Sequence, residues 1–324
     1  MKTMNAILIM CHKNPTQVLR LIDRCVSPQT KVIVHVDKNN DSVFDGLVEE
    51  ATNKGVYFTR ERLHGVLDTR SLVDIAMLMI QRAQEIERDE KVHFDYYLLL
   101  SGQDYLTKSI TEINANLCAV YPQPFIDCTP WAKSNWIFHK FRSNPSNDKY
   151  DAWVQKKFPK RGTIRRRIFR AIGLTSQKID RVFHKDYYHS LRKQGIELYG
   201  GSAWWILPDQ AISFIADEYN QRKPYVEELL RTWTPEETFF QIMTMRSPIA
   251  KMVQINPIDM VAQSCKTWAF FSGEGKPFKG HPYIFTEHEF SQLIEKDCWI
   301  ARKFDEKVDE KIFDLLDDYI TQNT

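Results

Sequence analysis

Two adjacent acids in the segment Thr234-Pro235-Glu236-Glu237-Thr238-Phe239-Phe240 could carry acid–base chemistry. Proline favours the first turn of a helix, where its missing N–H costs nothing, and the helix dipole stabilises carboxylates at the same end. The sequence therefore predicts a helix over 236–245 that begins with these two acids. A carboxylate held rigidly beside the Phe239-Phe240 pair can act as a general base. The alternative is an ordinary charge pair at the start of a surface helix.

The elements that would position such an acid begin with a parallel α/β arrangement in the first 130 residues. The apolar runs at 5–11 and 31–37 are separated by helical spacing over 16–24, which predicts a βαβ unit and a parallel sheet. Further strands are predicted at 56–58, 96–100 and 124–128, and one long amphipathic helix is predicted at 71–86.

Side chains at the carboxyl ends of these strands are the candidate ligand contacts. Open parallel sheets bind ligands beyond the carboxyl ends of their strands, and this rule selects Asp37, the Arg62–Thr69 loop and Asp104. No Gly-x-Gly-x-x-Gly or Walker-type loop follows any of the strands, so the sequence does not favour a dinucleotide or P-loop function.

Composition bounds the class of protein. The net charge of +2 is too balanced to indicate nucleic-acid binding through the whole surface. Aromatic residues make up 12% of the chain, with eight Trp, which suits sugar binding and equally suits a plain core. Six scattered cysteines without a Cys-x-x-Cys pair do not indicate a zinc or redox site.

The N-terminal apolar run is too short for a signal peptide, and no stretch reaches membrane-spanning length. We therefore expect a cytoplasmic protein with reduced thiols. A Lys/Arg-rich region with broken periodicity, 131–195, is predicted to be an insertion. Its basic stretch 156–170 predicts peripheral contact with the inner face of the cell membrane or with a charged acceptor, the alternative being a solvated basic face.

Several segments, in order, resemble glycosyltransferase family 14, which comprises the core-2/I-branching β-1,6-N-acetylglucosaminyltransferases and peptide O-xylosyltransferases. Their shared order and spacing extend from about residue 5 to 305, and the absence of an export signal suggests a bacterial-type member. The matching segments are Val34-His35-Val36-Asp37, Leu99-Leu100-Ser101-Gly102-Gln103-Asp104-Tyr105, Gly201-Ser202-Ala203-Trp204-Trp205, Pro235-Glu236-Glu237-Thr238-Phe239-Phe240 and Ala301-Arg302-Lys303-Phe304-Asp305.

The resemblance implies a GT-A-like fold in which a Rossmann-like, mostly parallel sheet is flanked by helices. It implies one catalytic domain over 1–324, with a nucleotide-sugar-binding half at 1–130, a variable basic insertion at 131–195 and an acceptor and catalytic half at 196–324. A UDP-sugar donor, inversion at the anomeric carbon and no metal or other cofactor are also implied. The chain contains no Asp-x-Asp motif, and Ser101-Gly102-Gln103-Asp104 stands at the strand end where that motif is expected.

The resemblance also assigns roles to residues. Glu237 matches the catalytic base, and Lys303 matches a lysine that meets the charge of the leaving diphosphate. A second contact, an arginine, has no clean match, and Lys279 or His281 is the expected substitute. The other donor-side residues are Val34, His35, Asp37, Arg62, His64 and Asp104, and the acceptor-side residues are Gly201, Ser202, Trp204, Glu236 and Trp268.

Ordinary structural roles compete with some of these assignments. His35 and Trp268 could be core residues, Asp104 could cap a helix, and Lys303 could be a solvated lysine before the last helix. The Gly200-Gly201-Ser202 segment fits close backbone approach to a ligand and equally fits a tight turn into a strand.

We therefore expect an inverting, metal-independent glycosyltransferase that moves GlcNAc or xylose from a UDP-sugar to a glycan hydroxyl. The acceptor would be a glycan or lipid-linked oligosaccharide used in surface polysaccharide or glycolipid synthesis. The alternatives are a non-catalytic nucleotide-sugar or glycan-binding protein on the same fold, and a metal-dependent transferase.

Overall fold

A computed structural model of the chain describes residues 4–132, 187–257, 264–271 and 281–323. The strands within these ranges are numbered in chain order. They are β1 (Met4–Cys11), β2 (Thr30–Val36), β3 (Tyr57–Phe58), β4 (Phe94–Ser101), β5 (Asp104–Leu106), β6 (Phe125–Ile126), β7 (Thr129–Pro130), β8 (Tyr199–Gly200), β9 (Trp205–Pro208), β10 (Thr267–Ala269) and β11 (Ile300–Arg302).

The helices follow the same numbering. They are α1 (Pro15–Cys25), α2 (Asp41–Asn53), α3 (Arg70–Glu90), α4 (Ile110–Val120), α5 (Tyr187–Lys193), α6 (Asp209–Asn220), α7 (Pro224–Leu229), α8 (Phe239–Arg246), α9 (Phe290–Glu295) and α10 (Lys311–Gln322). Short 3-10 turns lie at Pro235–Glu237, Ala250–Met252 and Glu287–Glu289.

The central sheet has the strand order β3-β2-β1-β4-β9-β6. Its first four strands are parallel, and β9 runs antiparallel to both of its neighbours. The predicted α/β class and the mostly parallel, Rossmann-like central sheet flanked by helices are thereby confirmed, while the GT-A-like assignment stays a prediction. Because β9 comes from the second half of the chain, both halves contribute to one sheet.

Alternating side chains of β1 show how the sheet separates two apolar layers. Ala6 and Leu8 pack with buried residues of α3 and α6 on one face. Ile7 and Ile9 pack with buried residues of α1, α2 and α10 on the other face. Burial on both faces explains why this strand reads as a continuous apolar run, which is typical of a parallel sheet covered by helices.

A second, three-stranded sheet brings the C-terminal part of the chain to the end of β4. Its order is β10-β11-β5, with β11 antiparallel to β5 and Arg302 paired with Asp104. The Gln17 side chain of α1 reinforces this junction by donating to the carbonyls of Gly102 (2.8 Å) and Phe304 (3.2 Å). Residues on either side of Lys303 are therefore fixed against the carboxyl edge of the central sheet.

The predicted helix over 236–245 is wrong in one respect. Pro235 opens a single 3-10 turn, Pro235–Glu237, and the α-helix begins only at Phe239. Thr234 has φ 51°, a left-handed conformation that is uncommon for a residue other than glycine, and it turns the chain sharply into Pro235. The sequence interpretation also missed helices α2 and α4.

Some expectations fall on residues that the structure does not describe. The basic stretch 156–170 and Lys279 lie outside the described residues, as does most of 131–195. The division at 130 and 195 stays a prediction. Among the helices that the structure describes, none combines the length and apolarity needed to cross a membrane.

Candidate active site

Asp37 organises the end of β2. Its carboxylate accepts hydrogen bonds from the backbone N–H groups of Asn39 and Gly65, both at 2.8 Å, and lies 3.0 Å from His64 Nδ1. Burial alone would raise the pKa of Asp37, but the two N–H donors and the His64 ring together hold it below its usual value. The charged carboxylate therefore fixes the following loop, residues 62–69, against the strand end.

Val34 and His35 are buried, and neither side chain reaches the surface of the strand end. His35 Nε2 lies 3.0 Å from the backbone N of Leu63, which donates to it. Burial, opposed by the charge of Asp37, lowers the pKa of His35 to about 4, so the ring is neutral at pH 7. These features favour the alternative of a core histidine, here one that anchors loop 62–69.

Arg62 and His64 occupy the outer side of that loop. Arg62 pairs with Asp41 at the start of α2, and its guanidinium lies over the Phe44 ring at 4.6 Å. The His64 side chain is 44% exposed while it contacts Asp37. Of the two, His64 is the one whose partner lies directly at the strand end.

Asp104 forms a buried charge pair. It is fully buried, and its Oδ1 lies 3.1 Å from Arg302 Nη1, while its Oδ2 accepts from the backbone N of Ser101 at 2.7 Å. Burial raises the pKa of Asp104 and lowers that of Arg302, and the two charges oppose these shifts. A side chain with no exposed surface cannot touch a sugar directly, so Asp104 is placed to position its neighbours.

Trp204 covers the other side of this pair. The Arg302 guanidinium carbon lies 4.1 Å from the centre of the Trp204 ring, a cation–π contact, and the ring remains half-buried. Gly201 and Ser202 precede it in the same segment. The carbonyl of Ser202 accepts a 2.6 Å hydrogen bond from Gln241 of α8.

Lys303 lies at the junction of the two sheets. Phe304 N donates to the Gln103 carbonyl at 2.8 Å, and Lys13 forms a 2.5 Å ion pair with Asp305. Burial and the positive charges of Lys13 and Lys303 lower the pKa of His12, whereas the negative charge of Asp37 raises it. Basic side chains from the end of β1 and from β11 therefore share one region at the carboxyl edge of the sheet.

The backbone of Glu237 is held from two sides. Its carbonyl accepts a 2.9 Å hydrogen bond from Gly201 N, and Phe239 and Phe240 behind it are fully buried. A Cβ at position 201 would stand 1.9 Å from the carbonyl oxygen of Asp127, so only glycine fits there. The half-buried Glu237 side chain thus stands on a backbone with little freedom to shift.

Contacts link the two regions into what we call the contact ring. Asp68 N donates to Glu236 Oε1 at 3.1 Å, which ties loop 62–69 to the acid segment. On the opposite side, Gly201 binds Glu237, and Trp204 stacks on Arg302. The ring comprises His12, Asp37, Gly65–Asp68, Glu236, Glu237, Gly201, Trp204, Arg302 and Lys303.

Two of the remaining predicted residues are not members of this ring. Trp268 is buried against Phe285, with ring centres 5.2 Å apart, which favours its alternative role as a core residue. His281 is exposed and stands two residues before Tyr283, whose carbonyl accepts from Lys303 N at 3.3 Å.

Sequence reasoning missed His12, Arg302 as half of a buried pair, and Asp127. The position of His12 directly after the first strand could have indicated it, by the strand-end rule. Burial raises the pKa of Asp127 to about 6, and this carboxyl accepts from both the backbone N and the thiol of Cys265. Contacts of this kind join residues far apart in sequence, and no local pattern signals them.

Comparison with known proteins relates the chain to a glycosyltransferase. It is 21% identical, over 98% of its length and 69% of the relative's, to a Danio rerio beta-1,3-galactosyl-O-glycosyl-glycoprotein beta-1,6-N-acetylglucosaminyltransferase 4. No protein-family model matches the chain.

The chain is also similar to solved structures, among them the following two, each at 10% identity. Mouse xyloside xylosyltransferase 1 in its apo form has a TM-score of 0.32, covering 92% of this chain and 97% of that one. A Bacillus anthracis protein described as a glucose-1-phosphate thymidylyltransferase, in complex with a sucrose, has a TM-score of 0.25 and covers 40% of this chain and 56% of that one. Scores this low add nothing to the description of the fold.

The contact ring provides carboxylates and cations in the same small region. Glu237 supplies a half-buried carboxylate and Lys303 a half-buried ammonium group, while the His12 imidazole, whose pKa is lowered chiefly by burial, lies near Lys303. Across the described ranges, no group of three or more His, Cys, Asp or Glu side chains is arranged to hold a metal ion.

The Asp104–Arg302 pair should be strongly coupled in stability. Arg302→Met leaves the buried Asp104 carboxylate without its partner, and Asp104→Asn leaves the buried Arg302 guanidinium without its partner. Each variant should therefore lower the free energy of unfolding by about 3–5 kcal/mol. The double variant should lose clearly less than the sum, because neither group then remains buried and unpaired. Urea unfolding of the four proteins measures this cycle.

The exposed pair Lys266–Asp297, at 2.7 Å, is the matched control, since Asp297 is 87% exposed. Its corresponding cycle should give a coupling of less than about 1 kcal/mol. Additive losses at Asp104 and Arg302 would show that the pair does not hold the junction together.

Proposed function

We propose that the protein is an inverting, metal-independent glycosyltransferase that transfers a sugar from a UDP-sugar to a hydroxyl of a glycan. The single observation that carries this proposal is the contact ring, which ties a carboxylate on a rigid turn to basic side chains at the carboxyl edge of a parallel sheet. The similarity to an N-acetylglucosaminyltransferase supports the class of reaction.

Glu237 is the proposed general base. Its carboxylate takes the proton of the acceptor hydroxyl as that oxygen forms a bond to the anomeric carbon. The bond from this carbon to the diphosphate oxygen breaks in the same displacement, and UDP leaves with the electron pair. Since attack comes from the face opposite UDP, the anomeric configuration inverts. The proton then passes from Glu237 to solvent.

Lys303 is the proposed partner of the leaving diphosphate. It stands on a segment fixed by the pairing of β11 with β5 and by the contacts of Gln17, so its charge needs little rearrangement as the phosphates gain negative charge. His12 and Lys13 extend the basic region along the end of β1. Arg302 is less suited to the second phosphate contact because Asp104 already neutralises it.

Loop 62–69 and Asp37 form the proposed nucleoside side. The loop is fastened to His35 and Asp37 at one end and to Glu236 at the other. Trp204, Ser202 and Gly201 lie on the proposed acceptor side, where a half-buried aromatic ring offers a flat apolar face to a sugar. GlcNAc and xylose are the proposed donor sugars, and a surface glycan or lipid-linked oligosaccharide is the proposed acceptor, handled in the cytoplasm or at the inner membrane face.

Glu237→Gln should remove the base while keeping the size of the side chain. We expect kcat to fall by about 10²–10⁴-fold because no group then accepts the acceptor proton. Transfer from UDP-GlcNAc and UDP-xylose to a panel of glycan acceptors measures this loss. In a thermal shift assay the variant should still be stabilised by UDP, since a ligand that binds only the folded state raises its stability.

A variant that retains full activity would remove Glu237 from the reaction. Stabilisation by UDP-sugars without any transfer in the wild-type protein would instead favour a non-catalytic binding protein.

Removing metals should leave the wild-type reaction intact, because protein cations take the place of a divalent ion. We expect the same rate with and without EDTA, whereas Lys303→Met should lower kcat by about 10²–10³-fold, as for loss of one preorganised charge-stabilising group. Lys307→Met, at an exposed position of the same segment, is the matched control. Loss of activity in EDTA that Mn²⁺ restores would contradict metal independence.

A further inference from the structure

Glu236 is the buried member of the acid pair. Glu236 is only 6% exposed, and its Oε1 accepts the hydrogen bond from Asp68 N at 3.1 Å. Oε2 is also buried, and it has no hydrogen-bond partner among the described residues. A charged carboxylate with one oxygen left in that state would carry a large desolvation cost.

The surroundings of Glu236 make this cost worse. Burial raises its pKa to about 8, the charges of Glu237 and Asp68 raise it further, and the N–H groups of Glu236 itself and Asp68 oppose the shift. Glu236 is therefore mostly protonated at pH 7, with its proton on Oε2 because Oε1 accepts from Asp68.

The helices packed against the turn offer little compensation. Helix α3 begins with Arg70, but the Arg70 guanidinium is already paired with Asp74 and Glu227. Helix α8 has one basic residue, Arg246, which lies at its far end over the Tyr225 ring.

We propose that Glu236 is a positioning residue that works as an uncharged carboxylic acid, fastening loop 62–69 to the turn that carries Glu237. This role rests on the proposed function, in which loop 62–69 borders the donor and Glu237 is the base. The neutral acid joins the two without placing a second negative charge beside Glu237 or near the diphosphate.

The consequence is that donor binding and base position are coupled through one side chain. Loop 62–69 is fixed at its other end by His35 and Asp37. A bound donor that orders this loop therefore also restrains the turn carrying Glu237, through the hydrogen bond from Asp68 to Glu236. Ionisation of Glu236 would draw its carboxylate towards water and disturb the turn.

Three variants test this role in the transfer reaction. Glu236→Ala removes the link, and we expect kcat at pH 7 to fall by about 10²-fold with the misplacement of Glu237. Glu236→Gln keeps an acceptor for Asp68 N and a donor in place of the O–H, so it should restore most of that activity. Wild-type kcat should decline as pH rises through about 8, and this decline should be absent in Glu236→Gln. Glu49→Gln, at an exposed position of α2, is the control and should follow the wild type.

A second measurement is independent of activity. Because the pKa of Glu236 is raised in the folded state, the unfolded state releases this proton first, and wild-type stability falls as pH rises from about 4.5 to 8. The melting temperature of Glu236→Gln relative to wild type should therefore increase from pH 5 to 8 and level off above. Glu49→Gln should show a constant difference over that range.

The two measurements separate the possible failures. A pH-independent difference in melting temperature for Glu236→Gln would overturn the uncharged state of Glu236. An identical alkaline decline in Glu236→Gln and wild type, or full activity in Glu236→Ala, would overturn the positioning role. Absence of transfer in every protein, with the expected melting behaviour, would contradict the proposed function and not the protonation of Glu236.

Discussion

The buried pairing of Arg302 with Asp104 is the constraint on which the rest of the site depends. It joins the last strand of the small sheet to the residues that directly follow β4, about 200 positions earlier in the chain. Lys303 follows Arg302 immediately, so the same pairing delivers an ammonium group to the carboxyl edge of the central sheet. Gln17 of α1 adds hydrogen bonds to this junction, and Lys13 of the β1–α1 connection adds an ion pair with Asp305.

A second constraint acts on the acids. Gly201, packed against the Asp127 carbonyl without room for a side chain, binds the backbone of Glu237, and the apolar residues of α8 close the turn from behind. The neighbouring acids consequently have different environments: Glu236 is enclosed and Glu237 is half-buried. Two adjacent carboxyl groups with different surroundings can hold different charge states, which is a common way of dividing structural and chemical roles.

The parallel sheet could be predicted from the sequence because its strands are buried on both faces and read as apolar runs, as at 5–11 and 31–37. The position of Asp37 at the carboxyl end of a strand could also be predicted, from the rule that parallel sheets bind ligands at that edge. The environments of Asp104 and Trp268 did not follow, since a buried charge pair and an aromatic cluster depend on segments distant in sequence. Helix α2 was missed because its weakly patterned, acidic sequence contributes few buried residues, namely Val43, Leu47 and Ala51. Glu236 and Glu237 look equivalent in sequence, and only tertiary packing distinguishes them.

In the proposed reaction, one carboxylate activates the acceptor while fixed protein cations, and no divalent ion, balance the charge of the departing nucleotide. A crystal structure of the protein with a UDP-sugar, grown with Mn²⁺ present, tests it most directly. We expect Lys303 Nζ to lie against the diphosphate and the Glu237 carboxylate to face the anomeric carbon from the side opposite UDP. A manganese ion held between the protein and the diphosphate, or Glu237 turned away from the sugar, would contradict it.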